Sequence, residues 1–135
     1  MVESVAVTAD DVVSALEARR QRGQSVVLRM TPPFSARMRA RIHVGDDSDD
    51  GETPAPIHID PNGLVTDDAP TYPTPAETED ALRDDPDAEY TVERHRERHE
   101  AAVAQWRDRV REHFADAVAV ETPEDTLDVD VAVLG

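Results

Sequence analysis

Hydrophobic and polar positions along this chain recur with two different periods, and each change of period marks an element. Residues 2–7 carry Val at positions 2, 5 and 7 and read as a short strand. Thr8 follows as a helix N-cap, with Asp10 and Asp11 placed against the positive end of the helix dipole. Val12, Val13, Ala15, Leu16 and Arg19 then keep helical spacing, which predicts a helix over residues 9–22 stopped by Gly23. Residues 25–31 read as a strand that Pro32-Pro33 breaks. Residues 34–44 alternate without a fault: Phe34, Ala36, Met38, Ala40, Ile42 and Val44 face one way, Ser35, Arg37, Arg39, Arg41 and His43 the other. Two strands joined at the Pro-Pro turn predict an antiparallel hairpin with a core face and an Arg-rich face, which Arg29 joins from the first strand. A slip of one residue would bury three guanidinium groups, so the register is strongly specified.

The second half is less regular. Ile57-His58-Ile59-Asp60 is a short strand ended by the turn signal Pro61-Asn62-Gly63, before Leu64-Val65. Pro70, Pro73 and Pro75 around Tyr72 predict an irregular crossover at about residues 66–76, with Tyr72 as its anchor, leading into a short acidic helix over residues 76–83. Residues 91–117 hold no Gly or Pro and read as one long helix. At 100° per residue, Val92, His95, His99, Ala102, Val103, Val110, His113, Phe114 and Ala117 share an arc of about 120° with Trp106. Residues 126–134 close the chain as a half-buried strand whose outer face carries Asp128 and Asp130. The order predicts an α+β fold, a two-layer sandwich with a mainly antiparallel sheet in β-α-β-β-β-α-β order, packed against one long and one shorter helix. It reads as a single domain over residues 1–135, with a flexible acidic loop at about residues 45–56.

Composition changes the picture in one respect. The chain has 135 residues, with 30 Asp plus Glu against 14 basic residues and a formal charge of −16. All 14 basic residues are Arg, 18 of the acids are Asp, and Cys is absent, so disulfides and thiolate metal sites are excluded. No apolar run reaches about 18 residues and no signal segment opens the chain, which predicts a cytoplasmic protein that does not enter membranes. An acidic, Lys-free surface suits molar salt, where the Debye length is about 3 Å and self-repulsion is screened. The acidity therefore speaks of solvent before it speaks of partners. Five stretches, VTADDV (7–12), VLRMTPPFSARMRARIH (27–43), IHIDP (57–61), YPTPAETED (72–80) and YTVERHRERHEAAVAQWR (90–107), resemble small, acidic, uncharacterised proteins of halophilic archaea, a domain family of unknown function. That resemblance implies no activity, cofactor or catalytic residue.

Two constellations carry candidate chemistry. The first is Arg37, Arg39, Arg41 and His43 with Arg29: residues i and i+2 on a strand stand about 6.5–7 Å apart, close to the phosphate spacing of a nucleic acid strand, and guanidinium groups hold phosphate bidentately. Asp128 and Asp130 are the acids placed to pair with them instead as a charge ladder. Few aromatics accompany the stripe, and high salt penalises affinity built on counterion release, so a nucleic acid is the weaker partner class. The second is His95 and His99, at the i,i+4 spacing of helical metal ligands, with His58 and Asp60 as further ligands if the fold brings them near. Glu97 lies midway, so neither HExxH nor HxxEH is matched; the bland alternative is that both imidazoles continue the apolar stripe. No GxSxG, P-loop or GxGxxG is present. The sequence points to a non-enzymatic accessory or binding module, without a cofactor, that offers its Arg face to an anionic ligand or a protein. A metal-binding protein or metal-dependent enzyme built on the His pair, and a structural subunit of a complex, are the alternatives.

Overall fold

Val5 and Val7 are fully buried while Ser4, Ala6 and Thr8 between them are half-exposed, so strand β1 (Ser4–Thr8) turns one face to the core. Thr8 ends it as expected, its Oγ1 accepting the Asp11 N–H at 3.1 Å, and helix α1 (Ala9–Arg22) buries Val12, Val13, Ala15 and Leu16. The computed structural model describes residues 2–22, 25–44, 56–122 and 125–134. The expected stop at Gly23 and the acidic loop of residues 45–55 lie outside the described residues.

The α+β class holds, with the strands divided between two sheets. Strand β2 (Val26–Met30) is the centre of a three-stranded antiparallel sheet, flanked by β4 (Arg41–Val44) and β5 (Ile57–Ile59). Its register pairs Arg29 with both Arg41 and His58, and Leu28 with both Ile42 and Ile59. The other sheet has the order β3-β1-β7-β6, from β3 (Arg37–Arg39), β6 (Ala117–Glu121) and β7 (Thr126–Leu134). There β1 is parallel to β3 and β7, while β6 and β7 form an antiparallel hairpin. The buried Val, Leu, Ile and Met side chains of both sheets and of α1 make one cluster, which Trp106 and Val110 close from outside.

The expected unbroken strand over residues 34–44 is corrected: it divides at Ala40. Ala40 is fully buried and its N–H bonds the Ala6 carbonyl at 3.0 Å, so the chain leaves one sheet and enters the other through that methyl group. The hairpin pairing with β2 survives only for Arg41–Val44. The long helix is corrected as well. Helix α3 (Val92–Val110) ends well before residue 117, Phe114 forms an isolated bridge with Val65, and Ala117 opens β6. Val92, placed on the buried stripe by periodicity, is 78% exposed. Helix α2 (Pro75–Asp84) forms where the acidic helix was expected, started by Thr74, whose Oγ1 accepts the Glu77 N–H at 3.2 Å.

The proline-rich crossover is held from α3. Trp106 Nε1 donates to the Pro70 carbonyl at 3.1 Å, and Tyr72 packs edge-on against the indole at 4.8 Å, which gives Tyr72 its anchoring role. Arg107 pairs with Glu17, and Arg111 with Asp10 at 2.7 Å, so α3 is also tied to α1. Replacing Trp106 by Ala is expected to lower the unfolding free energy by about 3–5 kcal/mol. Trp106→Phe, which keeps a ring against Tyr72 and loses the bond to Pro70, should cost less; guanidinium denaturation followed by circular dichroism measures both.

Candidate functional site

Because β2 lies between β4 and β5, the polar residue of one strand meets those of two others. Arg41, Arg29 and His58 stand in one row across the antiparallel sheet, and His43 stands beside Val27 one row away. Arg29 can only donate, so its Nη1–H bonds His43 Nδ1 at 3.3 Å and leaves the imidazole proton on Nε2. The rings of His43 and His58 stack at 5.9 Å with 21° between their planes. Arg39 reaches the same place from the other sheet: with Ala40 tucked inward, the residues on either side of it both turn outward.

Arg29, Thr31, Arg39, Arg41, Ile42 and His43 line one open cavity of about 310 Å³. No acid is among these lining residues, and Arg39 and Arg41 form no ion pair among the described residues. The arrangement offers several N–H donors and an imidazole to one bound group, the chemistry of oxyanion recognition. Four of the five residues singled out from the sequence therefore converge. Arg37 does not line the cavity; it sits on β3, beside Ser4 of β1. The charge ladder with Asp128 and Asp130 does not form: both acids are exposed on β7, and β1 separates that strand from β3. His58 was placed with the metal candidates and belongs instead with the basic residues. The alternation of Ile57-His58-Ile59 already put it on the polar face of its strand.

The four metal candidates are not brought together. Among the described residues no group of three or more His, Asp or Glu side chains could hold a metal ion. Asp60 caps the short 3-10 turn Pro61–Leu64, accepting the Asn62 N–H at 2.8 Å, and pairs with Arg19. His95 and His99 share a different partner, Thr78 of α2, which is 6% exposed. His95 Nε2 lies 2.9 Å from both the Thr78 hydroxyl and the Pro75 carbonyl, and His99 Nδ1 lies 3.1 Å from the same hydroxyl. A carbonyl only accepts, so His95 Nε2 carries the proton and has no lone pair for a metal.

The His pair thus joins α2 to α3. Around it Arg98 pairs with Asp85 at 2.9 Å, the Tyr90 hydroxyl bonds Glu79 at 3.3 Å, and Arg83 lies 3.9 Å above the Tyr90 ring. The Arg98 hydrogen bond, helped by the Asp87 N–H, holds the Asp85 carboxyl below its ordinary value of 3.8. The Thr66 hydroxyl does the same for Asp68, with His113 contributing less.

The whole chain, residues 1–135, matches the family described as a domain of unknown function, DUF8009, and the protein belongs to that family. No curated protein and no solved structure matches it. No helix among the described residues is long and apolar enough to cross a membrane.

Thr78→Val is expected to destabilise the protein by about 1–3 kcal/mol, because it leaves His99 Nδ1 without its hydroxyl partner while His95 keeps the Pro75 carbonyl. Asp85 gives a pH signature. Its folded value is depressed, so the Arg98 pair contributes to stability above pH 3.8, and that contribution is lost as the pH falls below 3.8 through the folded value. In Arg98→Gln the Asp85 carboxyl, followed by NMR titration, should move back up towards 3.8; an unmoved titration would show that Arg98 is not the cause.

Proposed function

We propose that this protein is a non-enzymatic binding module that takes a compact oxyanion, a phosphate or pyrophosphate group, in the cavity lined by Arg29, Arg39, Arg41 and His43. The observation that carries the reading is the convergence of Arg39 and Arg41, from two different sheets, on one cavity with no acid among its described lining residues. In a chain of net charge −16 such a local excess of donors runs against the average surface.

The proposed setting is the cytoplasm of a high-salt cell, supported by the 30 acids, the 14 basic residues that are all Arg, and the resemblance to proteins of halophilic archaea. That setting bears on the ligand. At about 1 M salt, attraction extends only about 3 Å, so recognition has to come from direct hydrogen bonds. Arg forks supply these to a small oxyanion at close range, whereas a nucleic acid strand, bound mainly through counterion release, loses most of its affinity there.

Titration calorimetry with inorganic pyrophosphate in about 1 M KCl tests the reading. Saturable binding is expected, and Arg39→Gln or Arg41→Gln should each weaken it roughly 10- to 100-fold, the equivalent of a charge-assisted bond worth about 1.5–3 kcal/mol. An Asp128→Asn control should bind as the parent does. Absence of binding at millimolar pyrophosphate and phosphate, or undiminished binding in both Arg variants, would overturn the proposal.

A further inference from the structure

Among the described residues, no layer covers the outer face of the β3-β1-β7-β6 sheet. Its positions are Arg37 and Arg39 on β3, Ser4, Ala6 and Thr8 on β1, Asp128, Asp130, Ala132 and Leu134 on β7, and Ala117, Ala119 and Glu121 on β6. None of them is buried, and Leu134 is 45% exposed. The other face of the same strands carries the core residues Val5, Val7, Val118, Val120 and Val129. An antiparallel sheet with one wet face is ordinary, but parallel strands such as β3, β1 and β7 are usually covered on both faces.

Charge on this face is ordered by strand. Ser4 pairs with Arg37 on one side and with Asp130 on the other, so the two opposite charges stand in one row, each one strand spacing of about 4.8 Å from β1. Neither forms an ion pair among the described residues. Basic groups hold the β3 edge, and Asp128, Asp130 and Glu121 hold the β7-β6 side.

We propose that this face docks on the same face of a second copy of the chain, about a two-fold axis running along β1. That operation exchanges the two sides of β1. It sets Arg37 of one copy over Asp130 of the second copy, and Asp130 over its Arg37, with Ser4 and Ala6 on the axis. The other in-plane two-fold, across the strands, would set the arginine edge on the arginine edge and the acids on the acids, so the charge order selects the first. Strand directions stay nearly aligned, as in packed sheets generally. Strands of three (β3), five (β1), nine (β7) and five (β6) residues present roughly 350 Å² in projection, below the ~800 Å² per partner of a standard interface, which sets the expectation of a dimer dissociating at micromolar concentration.

Sedimentation velocity over a micromolar-to-millimolar range, in about 1 M KCl so that the repulsion of two −16 chains is screened, reads this directly. The parent chain is expected to move from monomer to dimer. Arg37→Asp or Asp130→Arg alone, each folded by circular dichroism, should weaken the dimer at least about tenfold, by setting like charges face to face. Arg37→Asp with Asp130→Arg should restore it, an outcome that loss of fold cannot mimic. A parent chain that stays monomeric at millimolar concentration overturns the proposal. So does a dimer that both single reversals leave unchanged, or a double reversal no better than either one. Pyrophosphate binding is a separate readout, since Arg37 does not line the cavity.

Discussion

The methyl group of Ala40 governs more of this structure than any charged residue does. Ala40 is fully buried, and its backbone N–H donates to the Ala6 carbonyl in the neighbouring sheet. At this one position the chain passes from a parallel pairing with β1 to an antiparallel pairing with β2. A larger side chain there would have to displace its neighbours in the core cluster, and overpacking a core costs about 1–3 kcal/mol. Because Ala40 points inward, Arg39 and Arg41 point outward from different sheets into a common cavity. The basic site is thus a consequence of where a small residue is allowed.

A second, polar level of organisation attaches α2 and the first half of α3 to this body. Leu82 and Val103 are buried yet lie outside the main core cluster, so α2 has little apolar surface with which to dock. Thr78, His95 and His99 replace it with hydrogen bonds made in a partly buried place. The surface pairs Arg107 with Glu17 and Arg111 with Asp10 orient α3 on α1, but exposed pairs contribute about 0–1 kcal/mol and salt reduces that. Trp106, with its bond to Pro70, carries the docking of α3.

Local periodicity made the faces of the elements legible and left their partners open. The alternation from Phe34 to Val44 correctly separated Met38 and Ala40 from the Arg residues. It could not show that Arg37 and Arg41 belong to different sheets, because a period of two is the same in either. The strand β6 was readable in Ala117-Val118-Ala119-Val120, but with no Gly or Pro before it the helical arc ran on past Val110. His95 and His99 were rightly placed on a half-buried stripe. Their common partner Thr78 lies on another helix, and a single sequence carries no signal for that meeting. His58 shows the converse: its strand face was legible, while its neighbours Arg29 and His43 depended on the order β4-β2-β5.

The distribution of charge then acquires a physical meaning that the sum of −16 lacks. In molar salt a net charge acts over about 3 Å, which is one contact distance, so distant acids would neither attract nor repel an anion brought to the cavity. Only groups that touch can discriminate. Under that constraint a protein can carry a heavily acidic surface for its hydration and still keep a basic site open, provided that no carboxylate stands next to it. Among the described residues that line the cavity of Arg39 and Arg41 there is no carboxylate. Asp130 is kept apart because β1 holds β7 a full strand away from β3.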